Sequence, residues 1–597
     1  MCGIVGYTGY REALPVLLSS LERVTYRGYD SFGVALLNGQ GIAVAKSLGT
    51  VAQHRDKVGH LQGTLGIGHT RWATVGGVSL ANAHPHSDCS GDLALVHNGH
   101  IDNFHRLRQR LQDQGHRFRS QTDSEVIAHL IESYAADDIV AATSRAMGEL
   151  EGPFALVLLH RPSRRLVVAR RESPLVVGLG QGETFIASDV PAILPYTNRI
   201  LYLEDGDLAL VWEGGLTVWQ EGFEADRPVH QVNWSAHQIS KGGYDHFMLK
   251  EIHQQPDAIR DTVAEGLPGP AAASLAAARG VLPVAEPDAL LLLGCGTSYR
   301  AALLGEHLLA PLLPVPVTAR VASECQGPAI KAQRGLAVAF SQSGETSDTL
   351  AALRRVKSAG YAALGVTNVM GSSLTRMADA TLYTRAGPEV AVASTKTFLA
   401  QLVALYLLGY YLSPDRAAVA TLPQDLRVLP SKVRQTLANE SAVRQAARGL
   451  AGCEHLFIVA KGLGVPVALE GALKFKEVAY LHTEGYPAGE LKHGPFALLS
   501  EATAVIALVL DDQHRTRVLT SIKEIKARGS RVVAIAQPED KETAQFVDLV
   551  LTTPKLDPLL SPVLPTVVLQ LLAYHCARER GCPIDRPRNL AKSVTVP

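Results

Sequence analysis

Residues 289–298 read ALLLLGCGTS and decide the fold of the second half of the chain, because an apolar run is followed at once by small glycine, serine and threonine residues. The same pattern returns at residues 336–346, LAVAFSQSGET. Near-continuous apolar strands are typical of a parallel sheet that helices cover on both faces. We therefore expect α/β doubly wound parallel-sheet domains from about residue 287 onward.

The turns after these two strands are suited to anion binding. Ligands of parallel α/β sheets bind beyond the carboxyl ends of the strands, where the backbone N–H groups of the next helix point at them. Hydroxyl groups and backbone amides can hold a phosphate without a cage of cations. Serine is equally common in ordinary loops and helix caps, so the cluster taken alone does not decide between the two explanations.

The strand pattern occurs twice. Apolar runs at residues 456–460, 505–510 and 532–536 repeat the order of the preceding block at an offset too long for a solenoid, which indicates a duplicated domain. Where the first copy has its hydroxyl cluster, the second has Val-Leu-Asp-Asp at residues 509–512. We expect only the first copy to bind a phosphate.

Composition excludes several classes of protein. A chain of 597 residues is too long for one hydrophobic core, and 47% hydrophobic with 19% charged residues fits a folded protein rather than a disordered one. A formal net charge of zero gives no basic field for nucleic acid. Apolar runs such as residues 289–293 are shorter than the ~20 residues of a membrane span. Seven cysteines without a C-x-x-C pair argue against a disulfide framework and a zinc ribbon. We expect a multidomain cytoplasmic protein with no nucleic-acid or membrane partner.

The first half of the chain begins Met1-Cys2-Gly3-Ile4, without the pattern of a signal peptide. If Met1 is removed, Cys2 carries both a thiol and a free α-amine, and an amine with a pKa of ~7.7 to 8.0 can take the thiol proton. A buried strand cysteine would have the same sequence, so the neighbouring segments must decide.

Through about residue 219 the sequence favours strands. Strand-like runs at residues 33–37, 93–96, 154–159 and 208–211 alternate with turn signals, and helical stretches occur at residues 103–114 and 124–134. This pattern predicts an α+β domain of stacked β-sheets covered by helices.

Five short segments follow one another in this half: CGIVG at residues 2–6, YRGYDS at 26–31, HTRWAT at 69–74, VHNG at 96–99 and TDS at 122–124. In this order they resemble the N-terminal-nucleophile glutaminase domain of glutamine amidotransferases. The resemblance implies that Cys2 is the nucleophile that attacks glutamine. It also implies that the side-chain amide of Asn98 and the backbone N–H of Gly99 form the oxyanion hole.

The same resemblance assigns the glutamine-binding residues. Arg71 offers a planar fork for the α-carboxylate of glutamine, and Asp123 supplies the charge opposite its α-ammonium. Trp72 and Thr74 complete the predicted site, and in the family this tryptophan gates an internal ammonia passage. An ordinary surface ion pair is the alternative explanation of Arg71 and Asp123.

Four histidines raise the question of a metal, since His84 and His86 on an extended strand would project both imidazoles to one side. His69 and His97 lie nearby in the motifs. The family resembled here uses no catalytic metal in this domain, and hydrogen-bonding supports explain these residues equally well. We expect no metal and no cofactor. Val75 stands where many family members have histidine, so glutamine contacts there are expected to differ.

From about residue 246 to the C-terminus the chain resembles tandem sugar-isomerase-type domains. Both halves together resemble the glutamine-fructose-6-phosphate aminotransferases. The resemblance implies that glutamine and fructose 6-phosphate are the substrates and that the chain forms a homodimer. The residues it assigns to the sugar phosphate are Thr297, Ser298, Ser341, Gln342, Ser343, Thr346 and Ser394.

The reaction on the sugar requires acid and base groups that move a proton between C1 and C2. Residues 470–477, EGALKFKE, form an apparent helix on which Lys474 and Glu477 share a face, although a surface ion pair has the same spacing. The resemblance assigns proton transfer to Glu477, a supporting role to Lys474 and ring opening to His493 from a neighbouring subunit. It places Lys592 of the C-terminal tail against the open-chain sugar.

These assignments predict five segments: a glutaminase domain at residues 2–220, a linker at 221–245, a first sugar-isomerase-type domain at 246–425, a second at 430–583, and a tail at 584–597 that closes the sugar site. Two other functions stay open. One is an amidotransferase or deglycase that acts on another keto-sugar phosphate. The other is a non-enzymatic sugar-phosphate sensor, which would have no use for Cys2, Arg71, Asn98 and Asp123 together.

Overall fold

The computed structural model describes residues 2–59, 61–134, 138–232, 240–267, 282–327 and 331–594. The chain divides into two compact units, Met1–Ile239 with Ala591–Pro597, and Ser240–Leu590. The predicted domain and linker boundaries stay predictions. Residues 233–239 of the predicted linker and 595–597 of the predicted tail lie outside the described residues.

Two antiparallel sheets build the first unit. An eight-stranded sheet has the order β15-β11-β9-β10-β1-β4-β2-β3, and a seven-stranded sheet has the order β14-β13-β12-β8-β7-β6-β5. Their strands are β1 Gly3–Thr8, β2 Ser31–Asn38, β3 Gly41–Leu48, β4 Leu65–Arg71, β5 His86–Ser87, β6 Leu93–Gly99, β7 Phe154–His160, β8 Arg165–Arg171, β9 Val176–Leu179, β10 Thr184–Ala187, β11 Arg199–Tyr202, β12 Leu208–Trp212, β13 Gly215–Gln220, β14 Phe223–Glu224 and β15 Val229–Gln231.

The two sheets pack face to face around one core. Ile4 and Ile67 of the eight-stranded sheet and Val96 and Val157 of the seven-stranded sheet belong to the same buried cluster. Helices cover the outer faces: α1 Ala13–Arg23, α2 Val51–His54, α3 Phe104–Asp113, α4 Ser124–Glu132 and α5 Ile139–Glu149. The predicted α+β arrangement of stacked sheets covered by helices is confirmed.

Two parallel five-stranded sheets form the second unit. Their orders are β17-β16-β18-β19-β20 and β22-β21-β23-β24-β25, so the second sheet repeats the strand order of the first. The strands are β16 Ala289–Gly294, β17 Val317–Val321, β18 Gly335–Phe340, β19 Ala362–Thr367, β20 Ala380–Tyr383, β21 His455–Ala460, β22 His482–Pro487, β23 Ala504–Leu508, β24 Arg531–Ala536 and β25 Leu549–Thr552. The predicted pair of doubly wound α/β domains is confirmed.

Helices enclose both parallel sheets, and one continuous apolar core runs through the two copies. Among the described residues of this unit the helices are Phe247–His253, Gln255–Gly266, Gly296–Leu309, Ser347–Ser358, Ser373–Met377, Lys396–Leu412, Leu422–Leu437, Glu440–Leu450, Gly464–Ala479, Arg515–Lys526, Lys541–Ala544 and Val563–Glu579. Within the described residues one helical stretch, Pro558–Glu579, is long and apolar enough to cross a membrane by length and composition, but 94% of its apolar window is buried inside the protein. It is a helix of the protein core.

Candidate active sites

Cys2 precedes β1 and is half-buried against the segment that follows β4. Its Sγ accepts a hydrogen bond from the backbone N–H of Trp72 at 3.2 Å and lies 3.6 Å from the carbonyl oxygen of the same residue. Burial raises the pKa of the Cys2 thiol, although the amino terminus, this N–H group, Arg71 and Arg27 lower it. The neutral thiol is therefore the resting form, and a base must take its proton when it attacks.

Asn98 lies beside the nucleophile. Its Nδ2 donates to the carbonyl oxygen of Cys2 at 2.9 Å, and its Oδ1 lies 3.1 Å from Nε2 of His69. The same His69 nitrogen lies 3.0 Å from the carbonyl oxygen of His97, and since both neighbours are acceptors it carries the proton. The structure therefore brings Cys2 and Asn98 together. One hydrogen of the Asn98 amide remains for a second acceptor, and its role in the oxyanion hole stays a prediction.

Gly99 ends β6 at a φ of +130°, a left-handed conformation that favours glycine. A Cβ atom at this position would overlap the carbonyl oxygen of Pro153. Both observations require glycine here, immediately after Asn98.

Arg71 is buried, and the loop that follows β4 occupies much of its guanidinium. Its N–H groups donate to the carbonyl oxygens of Val75, Gly76 and Gly77 at 2.7, 2.9 and 3.0 Å. Three of its five donors are thus used to fold the loop. Since Arg71 and Asp123 are both buried, they do not form a surface ion pair. Val75 contributes its backbone to this contact, so the departure from histidine at this position leaves the Arg71 contact intact.

Asp123 is buried directly before α4. Its Oδ2 accepts the backbone N–H of Ile101 at 3.0 Å and lies 3.7 Å from Nδ1 of His100. Trp72 is half-buried and meets Tyr29 edge-on, with ring centroids 5.3 Å apart. Thr74 is exposed. The contacts of Asp123, Trp72 and Thr74 with glutamine stay predictions.

Two charged residues that we did not assign from the sequence position this site. Asp30 accepts the backbone N–H of Ala73 at 2.7 Å and thereby holds the loop after Arg71. Arg27 donates from Nε to the carbonyl oxygen of Cys2 at 3.2 Å and pairs with Asp189 at 3.4 Å. Both residues lie in the YRGYDS segment, which was the available signal.

The four histidines considered for a metal are buried and stacked. His69 lies on His84 with ring centroids 4.0 Å apart, and His84 meets His86 edge-on at 4.6 Å. Burial lowers the pKa of His69 to about 3, that of His97 to about 4, and those of the other two well below the ordinary value. Nδ1 of His97 lies 2.8 Å from the hydroxyl of Ser124 at the start of α4. These neutral imidazoles brace the strands behind Cys2.

A buried lysine lies at the centre of a charged network in the second unit. Lys474 Nζ donates to Glu477 at 2.5 Å and to the hydroxyl of Thr297 at 3.0 Å, and it lies 3.3 Å from Glu470. The three charged residues share one face of the helix Gly464–Ala479. Lys474 is 0% and Glu470 is 1% exposed, so this is not a surface ion pair.

The charges of this network are fixed by opposing effects. Burial raises the pKa of Glu470 to about 7, although Lys474 lowers it. Burial by itself lowers the pKa of Lys474, but the two carboxylates outweigh it and hold the pKa above the ordinary value. Lys474 is therefore an ammonium ion at neutral pH, which can hold Glu477 in place but cannot act as a base. The hydroxyl of Thr297 donates to Glu470 at 3.0 Å, so it belongs to this network and joins the two sheet domains.

The turn after β18 folds around its own hydroxyl groups. Ser341 Oγ lies 2.9 Å from Thr346 Oγ1 and accepts the backbone N–H of Gly344 at 3.0 Å. Gly344 has a φ of +68°, and a Cβ atom there would overlap the hydroxyl of Ser372. The loop therefore requires glycine at this position. Gln342 and Ser343 belong to the same half-buried turn.

Two hydroxyl groups beside this turn were not assigned from the sequence. Ser347, the first residue of the helix Ser347–Ser358, and Ser372 each bury an oxygen that has no hydrogen-bond partner among the described residues. Buried polar groups are nearly always satisfied, so these two favour a polar ligand at the turn. Serine at a helix start is too common to signal this from sequence.

The other predicted sugar contacts face the helix Lys396–Leu412. Ser298 Oγ accepts from Gln401 Nε2 at 3.0 Å, and Ser394 Oγ lies 2.6 Å from Thr397 Oγ1. This helix thus links the turn after β16 with the segment that contains Ser394.

Glu477 opens onto a cleft of about 390 Å³ whose walls include Tyr480 and Leu590. Arg588 closes one side of it: its backbone N–H donates to the hydroxyl of Tyr480 at 2.6 Å, and its guanidinium lies 4.4 Å from the centroid of the same ring. The segment that leads into the C-terminal tail therefore lies beside the carboxylate of Glu477.

One predicted residue, His493, is not hydrogen-bonded to this network within the described residues, and the role of Lys592 stays a prediction. His493 is exposed at the end of the 3₁₀ turn Ala488–His493, and no hydrogen bond joins it to Lys474 or Glu477 among the described residues. Lys592 belongs to the segment Ala591–Pro597, which groups with the first unit.

Comparison with known proteins matches both units. Residues 46–213 match the glutamine amidotransferase domain, and residues 284–410 and 449–579 match the SIS domain. The isomerizing glutamine-fructose-6-phosphate aminotransferases of Symbiobacterium thermophilum and Thermus thermophilus are 47% and 44% identical to the chain over 611 and 609 residues, covering 100% of both chains in each case. A solved structure of the C-terminal domain of glucosamine-fructose-6-phosphate aminotransferase from Francisella tularensis is 34% identical, has a TM-score of 0.54, and covers 58% of this chain and 99% of that chain.

Proposed function

The chain belongs to the family of isomerizing glutamine-fructose-6-phosphate aminotransferases, and on this premise we propose how its residues carry out the reaction. The enzyme hydrolyses glutamine in its amidotransferase domain and transfers the ammonia to fructose 6-phosphate in its two sugar-isomerase domains, giving glucosamine 6-phosphate and glutamate. The observation that supports the residue assignments most strongly is the thiol of Cys2 at 3.2 Å from the Trp72 N–H, with its own carbonyl held by Asn98.

Glutamine hydrolysis begins at the processed N-terminus. The free α-amine of Cys2 takes the thiol proton, and Sγ attacks the side-chain amide carbon of glutamine. The free hydrogen of the Asn98 amide and the N–H of Gly99 stabilise the oxyanion of the tetrahedral intermediate. The α-ammonium of Cys2 then returns its proton to the leaving nitrogen, so that collapse of the intermediate releases ammonia and leaves a thioester. Water hydrolyses the thioester to glutamate and restores the thiol of Cys2. Arg71 binds the α-carboxylate, and Asp123 binds the α-ammonium with help from Trp72 and Thr74.

The sugar phosphate is bound at the hydroxyl-rich turn after β18. Its phosphate is held by hydroxyl groups and backbone amides at the start of the helix Ser347–Ser358. The buried oxygens of Ser347 and Ser372, which have no hydrogen-bond partner in the part of the chain that the structure describes, support this location. The residues proposed to contact the sugar phosphate are Thr297, Ser298, Ser341, Gln342, Ser343, Thr346 and Ser394.

Proton transfer between C1 and C2 is carried out by Glu477. Lys474 holds this carboxylate at 2.5 Å while the carboxylate remains open to the cleft. Ring opening requires a group that can donate and accept a proton, and the imidazole of the exposed His493 fits this role if it enters the site of a neighbouring subunit. We therefore propose a homodimer.

Complementation between two inactive variants tests the shared site. His493→Ala and Glu477→Ala each abolish synthesis alone, but a mixed dimer contains one site with both groups intact. Random mixing yields mixed dimers in half of the population, so about a quarter of wild-type activity should return. Mixed dimers that remain inactive would place His493 in the site of its own subunit.

Ammonia must reach the sugar without entering bulk water, where it would be protonated and lose its nucleophilicity. We propose that the C-terminal tail, with Lys592 at the open-chain sugar, closes the sugar site and that Trp72 gates the passage of ammonia. Deletion of residues 590–597 should leave glutamine hydrolysis measurable and abolish amino-sugar formation. Full synthesis by the truncated chain would contradict this role.

The identity of the acceptor sugar can be tested by labelling. With amide-¹⁵N glutamine and fructose 6-phosphate, the label should appear in glucosamine 6-phosphate. Other keto-sugar phosphates, supplied in its place, should not give a labelled amino sugar at a comparable rate. A different preferred keto-sugar phosphate would favour the related amidotransferase or deglycase. We propose that the enzyme is cytoplasmic and requires no cofactor.

A further inference from the structure

Four side chains of the first unit converge on one point away from the contacts of Cys2. Cys89, His116, His129 and Glu132 each direct one ligand atom to it, and these atoms all lie within 4.8 Å of one another. The sequence directed attention to His84 and His86 instead, because the spacing of these four residues matches no common zinc motif.

Four of the six distances between the ligand atoms are close to the edges of a tetrahedral metal site. Cys89 Sγ lies 3.6 Å from Nδ1 of His129 and 3.9 Å from Nδ1 of His116. Glu132 Oε2 lies 3.0 and 2.9 Å from the same two nitrogens. In a tetrahedral zinc site with bonds of ~2.3 Å to sulfur and ~2.0 Å to nitrogen and oxygen, these edges are ~3.5 Å and ~3.3 Å long. We propose that Cys89, His116, His129 and Glu132 bind a zinc ion.

The loop that contains Cys89 orients both anionic ligands. The backbone N–H groups of Cys89 and Ser90 donate to Oε1 of Glu132 at 3.0 and 3.1 Å, which leaves Oε2 directed at the two imidazoles. The backbone N–H of Arg117 donates to Cys89 Sγ at 3.4 Å.

His129 carries an independent sign of metal ligation on its other nitrogen. The residue is 1% exposed, and its Nε2 has no hydrogen-bond partner among the described residues. The nearest carboxylate oxygen is Oε1 of Glu125 at 3.8 Å. A metal on Nδ1 places the proton on Nε2, directed at this carboxylate, which is the arrangement that usually supports a metal-bound histidine. Glu125 is itself held by the backbone N–H groups of Arg119 and Ser120 at 2.8 and 2.7 Å.

A metal-free cluster is the competing explanation. A protonated His129 could satisfy Glu125 and Glu132 without any ion. In that arrangement the sulfur of Cys89 makes only long contacts with the two imidazoles, at 3.6 and 3.9 Å from their Nδ1 atoms. A zinc ion uses all four groups, and a metal can enter past Cys89, which is exposed, while His116 and Glu132 are half-buried.

The zinc ion acts as a structural clamp, because the protein supplies all four ligands and leaves no open position. It joins the loop after β5, the turn after α3 and the helix α4. That helix begins directly after Asp123, the residue proposed to bind the glutamine ammonium. Loss of zinc should therefore raise the KM for glutamine more than it lowers kcat. This prediction for KM rests on the proposed role of Asp123. The measured zinc content of the protein does not depend on that role.

Metal content of the full chain tests the site directly. Protein purified without a histidine tag or chelator should contain about one zinc per chain by mass spectrometry. After chelation, titration with Co²⁺ should give the thiolate-to-cobalt charge-transfer band and the intense visible bands of a tetrahedral site. Cys89→Ser and Glu132→Gln should lose zinc and these bands. Cys453→Ser, at a half-buried cysteine of the second unit, should retain both.

Two results would overturn the proposal. One is wild-type protein that contains only traces of metal and gives no charge-transfer band with Co²⁺. The other is a cobalt spectrum that is unchanged in a folded Cys89→Ser variant, as judged by its circular dichroism. If Cys89→Ser does not fold, Glu132→Gln and the wild-type cobalt spectrum decide the question.

Discussion

Replacement of Lys474 by methionine removes the ammonium that contacts both carboxylates of the buried network in the second unit. Glu470 is 1% exposed and would keep the hydroxyl of Thr297 as its partner. Glu477, which reaches the cleft, would lose the group that holds it at 2.5 Å. We expect Lys474→Met to abolish amino-sugar synthesis and to leave glutamine hydrolysis intact.

The stability loss follows from leaving a buried carboxylate without its counter-ion, which costs ~3–5 kcal/mol. Protonation limits this cost. The pKa of Glu470 is already raised to about 7 by burial, and the loss of Lys474 raises it further. A carboxyl group whose pKa is higher in the folded than in the unfolded state destabilises the folded protein. This cost grows as the pH rises from the unfolded-state pKa to the folded-state pKa. The variant should therefore lose more stability at pH 8 than at pH 6.

Urea unfolding of the full chain, followed by far-ultraviolet circular dichroism at pH 6 and at pH 8, measures this loss of stability. Lys432→Met, on a half-buried lysine of the helix Leu422–Leu437, is the matched control and should change stability by less than ~0.5 kcal/mol. The double variant Lys474→Met with Glu470→Gln should recover at least ~2 kcal/mol, because a neutral amide can stay buried at lower cost. It should not recover synthesis.

Two results would refute this reasoning. A loss below ~1 kcal/mol for Lys474→Met would show that the pair is not stabilising Glu470 in the fold. A double variant no more stable than the single one would show that the cost does not come from the unpaired carboxylate.

The remaining predictions concern backbone strain and buried histidines. Gly99→Ala should abolish glutamine hydrolysis, since its Cβ overlaps Pro153. Gly148→Ala, at an open helix position, should instead stabilise the protein by ~0.5–1 kcal/mol. Wild-type glutaminase activity in Gly99→Ala would contradict the first prediction. Gly344→Ala should raise the KM for fructose 6-phosphate at least tenfold with glutamine hydrolysis unchanged, and an unchanged KM would remove the phosphate from this turn. Burial lowers the pKa of His69 to about 3 and that of His97 to about 4, so the first unit should lose stability as the pH falls below ~6.5, by up to ~1.4 kcal/mol per pH unit for each histidine. Urea midpoints of the Cys89→Ser variant between pH 7 and 5 measure this without the metal site, and a flat profile would contradict it.

The parallel sheets could be predicted from local sequence because each of their strands is a nearly continuous apolar run. The strand predicted at residues 505–510 ends at Leu508, since element ends depend on contacts that the run itself does not encode. Because the pattern of apolar runs occurs twice, the two copies were expected to share one strand order, and they do. Short motifs likewise predicted that Cys2 and Asn98 act in one site, and the structure places them 2.9 Å apart through the Cys2 carbonyl.

Contacts between distant segments could not be predicted in this way. The hydroxyl of Thr297 lies between Lys474 and Glu470, which are far along the chain, and no local pattern indicated these two contacts. Ser347 and Ser372 carry no unusual sequence signal, and only their burial without a partner marks them. The cluster of Cys89 and Glu132 with two histidines depends in the same way on how a loop and a helix meet in space.

Coupled product formation tests the central claim most directly. Protein with a native N-terminus, supplied with glutamine and fructose 6-phosphate, should form glutamate and glucosamine 6-phosphate in equal amounts by mass spectrometry, and Cys2→Ala should form neither. Glutamate without the amino sugar, or amino sugar from glutamine in Cys2→Ala, would contradict the account.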